Sequence, residues 1–302
     1  MTDYEDIEDR IAGCLVGGAI GDGLGRAFEG RDGAIDVDLT ATQRVSDDTQ
    51  MTLATCEAIL SAGRVDPAIT AERFAAWFRA RRITGVGAST MKALQELVAG
   101  QHWALAGAKG DRSAGNGAAM RIAPLAFFCD PGDDEDRRLI RDVCRITHHN
   151  DEAYVAALAI VVAIRAAAFD TSASMTSLVE AVARRLPDSV TRDRLREAVA
   201  ASAPSIAWMA GQYGAGGYAA ESVPLAIVAA SRARELGFDG VIRDLISQGG
   251  DTDTNASMAG QIVGARLGLS RVPVALVRGV EDVDKYRELA GRLAELRNAF
   301  GR

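Results

Sequence analysis

Two ladders of small residues constrain this chain more than any other feature. Gly13, Gly17, Gly21 and Gly25 recur every fourth residue, and so do Ala256, Gly260, Gly264 and Gly268. Residues four apart share one helix face, so each ladder is a strip along which a second backbone can approach closely. Glycine costs about 1 kcal/mol relative to alanine inside a helix, so this many together need a packing or ligand reason. In lipid such a strip would be a dimerisation seam, but Asp22, Arg26 and Arg266 exclude that setting.

The remaining segments share the helical character. Alanine, the best helix former, is abundant at about 55 residues, while aromatics make up 5%. Ile7, Ile11, Cys14 and Leu15 fall on one face, Leu94, Leu97 and Val98 on another. Residues 154–168 are apolar nearly all round, as in a buried central helix. Segments 178–186, 224–236 and 286–300 continue the pattern, and short stretches at 30–44, 109–117, 130–136 and 211–217 read as loops. These features predict one all-α, compact multi-helix domain over residues 1–302. At about 11 residues per helix, it would hold roughly ten or more helices.

Charge and cysteines narrow the setting. With 34 Lys+Arg against 41 Asp+Glu, the formal charge is −7, which argues against a general nucleic-acid surface. The apolar run 153–164 stops at Arg165, short of the roughly 18 residues of a membrane span. The acidic first nine residues lack the apolar core of a signal peptide. Cys14, Cys56, Cys129 and Cys144 have no CxxC spacing, which fits reduced thiols. A water-soluble, cytoplasmic protein without a membrane partner is expected.

The chemistry-bearing residues cluster at two helix starts. Ser46-Asp47-Asp48-Thr49 precedes a helical segment, and Asp251-Thr252-Asp253-Thr254-Asn255 leads into the second glycine ladder. One capping residue would satisfy either helix. Each cluster instead sets two carboxylates within one turn, where like charges repel unless a cation neutralises them. Oxygen donors select Mg²⁺ or Mn²⁺, or Ca²⁺, over zinc. An EF-hand is excluded, because Ala256 stands at its glycine position and Ile262 at its bidentate glutamate. Two rigidly held helix starts suit a one- or two-metal hydrolytic site.

Two glycine-rich turns, Gly115-Asn116-Gly117 and Gly214-Ala215-Gly216-Gly217, can offer backbone N–H groups to an anion or serve as plain turns. No GxxxxGK[ST] motif exists. Gly214-x-Gly216-x-x-Ala219 fits the Rossmann spacing, but no strand pattern precedes it.

In order along the chain stand Gly21-Asp22-Gly23-Leu24-Gly25 with Glu29, then Ser46 to Met51, then Gly115 to Leu125, then Thr147-His148, then Gly249 to Asn255. This series resembles the ADP-ribosylglycohydrolase family, of the dinitrogenase reductase-activating glycohydrolase and ADP-ribosyl-acceptor hydrolase type. The resemblance implies an all-α domain with a dimetal site, two Mg²⁺ or Mn²⁺, at helix N-termini. By position, Ser46, Asp47 and Asp48 match one metal-ligand group, and Asp251, Asp253 and Thr254 the other. Glu29 matches an acidic residue beside the metals and the substrate ribose. Gly115, Asn116, Gly117 and Ala118 match a loop around the diphosphate, and His148 a residue of the ADP-ribose pocket. Gly216, Tyr218 and Glu221 match a pocket-wall motif at a helix start. His102 and His149 read as structural, and the three tryptophans, Trp77, Trp103 and Trp208, as core rather than an adenine platform.

The implied reaction is release of ADP-ribose from an ADP-ribosylated protein, at an arginine or serine side chain, by attack of metal-activated water on the anomeric carbon of the distal ribose. Asp48 or Glu29 would handle the proton. The span from Glu29 to Ser46 is shorter than in typical relatives, which sets Glu29 farther from the metals or leaves it free. Ser46 stands where threonine is common. Two alternatives stay open: an ADP-ribose-binding or immunity protein that blocks an ADP-ribosyltransferase, and a hydrolase of another ADP-ribose conjugate such as a nucleic-acid adduct. The acceptor linkage and the oligomeric state are not encoded in any motif.

Overall fold

The structure is a computed structural model that describes residues 3–31, 37–40, 44–170, 177–201 and 204–299. The helices among them are α1 (Asp3–Gly25), α2 (Asp47–Ala62), α3 (Pro67–Arg79), α4 (Ala88–Val98), α5 (Asp134–Arg145), α6 (Asp151–Phe169), α7 (Leu178–Ala183), α8 (Val190–Ala200), α9 (Ile206–Tyr213), α10 (Ala219–Ser231), α11 (Ala233–Ile246), α12 (Thr252–Leu267), α13 (Val274–Val277) and α14 (Val283–Ala299). Two strands of two residues each, β1 (Ala108–Lys109) and β2 (His148–His149), pair in parallel. The fold is therefore all-α, as the sequence predicts.

Local chemistry sets the helix starts. Ser46 caps α2, Asp66 caps α3 ahead of Pro67, Asp133 caps α5 and Asn150 caps α6, each accepting first-turn backbone N–H bonds. Gly63 closes α2 at φ 70°. Several boundaries differ from the sequence pattern. The segment expected from residue 224 begins at Ala219, so Pro224 lies inside α10. It ends at Ser231, and α11 then kinks at Gly237. Residues 211–213, expected as loop, finish α9, and 134–136 open α5. Of the expected loop 30–44, residues 32–36 and 41–43 lie outside the described residues, as does Phe300 of the last segment.

The two glycine ladders face one another. α1 and α12 run antiparallel, with Gly13 against Gly264, Gly17 against Gly260, Gly21 against Ala256 and Gly25 against Thr252. A Cβ on Gly17 would fall within the Gly260 carbonyl, and one on Gly25 would stand 2.6 Å from Asp253 Cα. Only glycine admits this backbone approach. Gly268 is the exception among the rungs, since it ends α12 at φ 75° beside Asp9. This seam carries Asp22 of α1 to the start of α12.

Around that pair, α6 and α10 form the centre of a continuous hydrophobic cluster. α6 is the one helix among the described residues that is long and apolar enough to cross a membrane, because it continues past Arg165 to Phe169. Protein covers 72% of its apolar window, as for a core helix.

Candidate active site

α1, α2 and α12 bring carboxylates from three distant segments to one place. Asp22 is fully buried and accepts bonds from the Ser46 N–H at 2.9 Å, the Thr49 N–H at 3.1 Å and the Thr49 hydroxyl at 2.6 Å. It thereby holds the first turn of α2 against α1. Ser46 in turn donates its hydroxyl to Asp48 Oδ2 at 3.0 Å and accepts the Asp48 N–H. Thr254, from the first turn of α12, donates to the same Oδ2 at 3.2 Å. Asp48 Oδ1 is buried with no partner.

Two carboxylate triads result. Oxygens of Asp22, Asp48 and Asp253 lie within 4.8 Å of one another, and so do those of Glu29, Asp251 and Asp253. Asp253 belongs to both. Ligand distances of about 2.0–2.6 Å set opposite ligands of one hard cation about 4–5 Å apart. The all-oxygen donor set of the two triads fits such a cation. The triads share a residue, as adjacent cation sites would.

The electrostatics agree. Burial, then Asp22 and Asp253, push the Asp48 carboxyl well above its ordinary value. Burial, then Asp251, push Asp253 up to about 9. Burial and Asp22 raise Asp47 to about 7. Burial raises Asp22 despite its hydrogen bonds. The N-termini of α2 and α12 both point their partial positive charge at this cluster, yet burial and mutual repulsion still hold Asp22, Asp47, Asp48 and Asp253 above the ordinary carboxylate range.

A cavity of about 250 Å³ opens above the cluster, lined by Glu29, Asp47, Asp48, Asn116, Gly117, His148, Asp251, Asp253 and Thr254 among others. The loop Gly115–Ala118 is fastened beside it. The Asn116 N–H bonds to the Gly217 carbonyl at 3.0 Å, and the Asn116 amide donates to Asp251 Oδ2 at 2.7 Å. His148 is 2% exposed, and burial pushes its imidazole down to about 3, so it is neutral.

Glu29 sits closer to the cluster than its short connection suggests. The Gly30 N–H bonds to the Gly250 carbonyl at 2.9 Å, which fixes Glu29 beside Asp251. This contact needs Gly249 and Gly250, at φ 73° and 77°, since a Cβ on Gly249 would stand 2.7 Å from the Arg31 carbonyl. Glu29 is exposed at the cavity mouth, and partial burial followed by Asp251 raises its carboxyl.

Glu29, Asp47, Asp48, Gly115, Asn116, Gly117, His148, Asp251, Asp253 and Thr254 of the sequence-predicted site line this one cavity, whereas Ser46 and Ala118 are buried and do not line it. Ser46 and Asp47 stand somewhat apart in their contacts. The Ser46 hydroxyl is engaged by Asp48, and Asp47 lies in neither triad but lines the wall near Gly85. Sequence reasoning gave no role to Asp22, although a lone carboxylate in a glycine ladder was the available signal. It also passed over Thr90, which lines the cavity together with Gly217 of the second glycine-rich turn. His149 bonds the Ala106 carbonyl at 2.7 Å, and Trp77 is core. Trp208, expected in the core, is instead 38% exposed and packs edge-on against Tyr213.

The sequence model of the family described as ADP-ribosylglycohydrolase matches residues 3–300. The chain belongs to the ADP-ribosylglycohydrolase family. ADP-ribosylhydrolase ARH3 of Gallus gallus is 28% identical, over 95% of this chain and 93% of its own. ADP-ribosyl-[dinitrogen reductase] glycohydrolase of Rhodospirillum rubrum is 30% identical, over 51% of this chain and 56% of its own. A solved structure titled ADP-ribosylglycohydrolase-related protein complex superimposes with a TM-score of 0.77 at 25% identity, covering 97% of this chain and 99% of the other. Membership and these relatives support ADP-ribosyl hydrolysis as this glycohydrolase's activity, with the acidic cluster fitting a metal site.

Proposed function

We propose that this glycohydrolase is a divalent-metal-dependent enzyme that releases ADP-ribose from an ADP-ribosylated arginine or serine side chain. The observation that carries the reading is the pair of carboxylate triads sharing Asp253 at the floor of a cavity walled by Gly115–Gly117 and His148. Asp48, Asp251, Asp253 and Thr254 would hold two Mg²⁺ or Mn²⁺ ions, with Asp47 from the wall and Ser46 orienting Asp48. A divalent cation there supplies Lewis-acid polarisation of bound hydroxyls and a lowered pKa for water.

The chain's own groups do the rest. Asp48, fixed through Oδ2 by Ser46 and Thr254, keeps Oδ1 available to accept a proton. Glu29, at the cavity mouth with a raised carboxyl, is placed to exchange a proton with water or the leaving group. The Gly115–Ala118 loop lies where backbone N–H groups can meet the diphosphate, and buried His148 excludes water from that side. We take the compartment to be the cytoplasm, since the four cysteines are all buried and have no CxxC spacing.

The test is to incubate purified protein with Mg²⁺ or Mn²⁺ and arginine-, serine- and nucleotide-linked ADP-ribose, measuring free ADP-ribose. Metal-dependent release from an arginine or serine conjugate is expected. Release from the nucleotide conjugate alone would reassign the substrate. Tight ADP-ribose binding with no release from any conjugate would favour the ADP-ribose-binding reading and overturn the enzymatic one.

A further inference from the structure

Arg121 lies at the end of the Gly115–Arg121 motif and is fully buried, yet its two hydrogen-bond partners are uncharged. One guanidinium nitrogen, Nη1, donates to the Gly117 carbonyl, and the other, Nη2, donates to the Thr147 hydroxyl at 2.6 Å. The Thr147 hydroxyl also lies 2.7 Å from His148 Nδ1. Arginine has donors and no acceptor, so the Thr147 oxygen must accept from it. Among the described residues the hydroxyl meets only these two partners. Its single hydrogen is satisfied only by pointing at His148 Nδ1, which must then be the unprotonated, accepting nitrogen. The ring proton is left on Nε2, the nitrogen that faces the loop: a Cβ on Gly115 would stand 3.4 Å from it.

We propose that Arg121 and Thr147 are positioning residues that lock His148 in the Nε2–H tautomer, presenting a neutral hydrogen-bond donor to an acceptor atom of the bound nucleotide. This rests on the ADP-ribose reading of the site. The same guanidinium grips the Gly117 carbonyl, so one buried cation sets both the loop and the imidazole donor. Arg121 pays for its burial with these bonds; Nε has no partner at all. Burial lowers its guanidinium to about 10, so it remains charged at neutral pH. Burial foremost, with that charge behind it, keeps His148 neutral.

The lock can be read without ligand. The chain has three histidines, so side-chain ¹⁵N NMR of the parent, with His148 assigned by loss of its signals in His148→Gln, reports the tautomer directly. The expected result is an unprotonated Nδ1 and a protonated Nε2. A protonated Nδ1 overturns the proposal. In Thr147→Val the preference is expected to relax to a mixture, with ADP-ribose affinity about tenfold weaker, the scale of one hydrogen bond. Thr147→Ser is expected to restore both. A folded Thr147→Val protein with the parent's tautomer and affinity overturns the proposal. If valine prevents folding, the parent spectrum and the serine variant still decide it. A parent that shows the tautomer but binds no ADP-ribose refutes the functional reading and leaves the lock standing.

Discussion

Thr254 donates its hydroxyl hydrogen to Asp48 Oδ2 at 3.2 Å, across 206 positions of sequence. The bond joins the first turns of α2 and α12, which the glycine seam of α1 already aligns through Asp22. The two acidic clusters are therefore one electrostatic unit.

Asp48→Asn and Asp253→Asn should each abolish the whole Mg²⁺-induced rise in melting temperature. A ligand at 100 times its Kd stabilises by about 2.7 kcal/mol, and both variants should lose an increment of that order. Without metal, Asp253→Asn should melt higher than the parent at neutral pH, because the amide is buried without first taking up a proton, as the raised Asp253 carboxyl must. Differential scanning calorimetry that finds two separable increments, each lost in only one variant, would contradict a shared centre.

The raised carboxyls also fix a pH dependence. Their folded-state values lie above the unfolded ones, Asp47 at about 7 and Asp253 at about 9, so the folded state binds more protons across that window. The stability they contribute is fully present below the ordinary carboxylate value near 3.8 and is lost as pH rises toward about 9. Metal-free protein should therefore lose stability between pH 5 and 9, by up to about 1.4 kcal/mol per pH unit for each group titrating. Mg²⁺ should stabilise more at pH 8 than at pH 5.5. Equal metal increments at both values would show that no proton is displaced.

Gly117→Ala should weaken ADP-ribose binding about tenfold while leaving the Mg²⁺ increment intact. The new Cβ would stand 2.9 Å from His148 Cε1 and 3.0 Å from Thr90 Oγ1, so the imidazole must move from the position that faces the loop. Isothermal titration with unchanged affinity would remove this loop from the binding surface.

Much of this site was legible because its parts are local. A Ser or Asp cap, two carboxylates in one turn and a glycine every fourth residue are patterns within a few residues. What was not legible is long-range. Nothing near Asp22 in sequence announces that it anchors Ser46 and Thr49. The position of Glu29 depends on a bond from Gly30 to Gly250, which no loop-length argument can supply. Helix boundaries failed where propensity yields to packing, as at Pro224, which lies inside α10, a helix buried along all its length but Glu221.

Gly17→Ala should destabilise the fold and the site together. Alanine gains about 1 kcal/mol of helix propensity, but overpacking costs about 1–3 kcal/mol, and here the collision is with the Gly260 backbone rather than a movable side chain. Urea denaturation should show a net loss, and the separation of α1 from α12 should weaken Mg²⁺ binding. A variant as stable as the parent would mean the seam has slack that its geometry denies.

Glu29→Gln tests whether the exposed carboxylate takes part in the chemistry. Glutamine keeps the size and one oxygen but cannot exchange a proton, so the substitution separates proton transfer from packing. Glu29 contributes one oxygen to the outer triad while Asp251 and Asp253 supply the others, so metal affinity should fall modestly and saturating Mg²⁺ should compensate. General acid–base assistance is worth about 10²–10⁴-fold in rate, whereas a solvated carboxylate at a cavity mouth would be worth almost nothing. Single-turnover release of ADP-ribose at saturating metal should therefore slow by about 10² or more, with ADP-ribose affinity nearly unchanged. The pH profile should also lose the limb that reports the raised Glu29 carboxyl. A Glu29→Gln enzyme as fast as the parent would leave Asp48, through its unpartnered Oδ1, as the group that takes the proton.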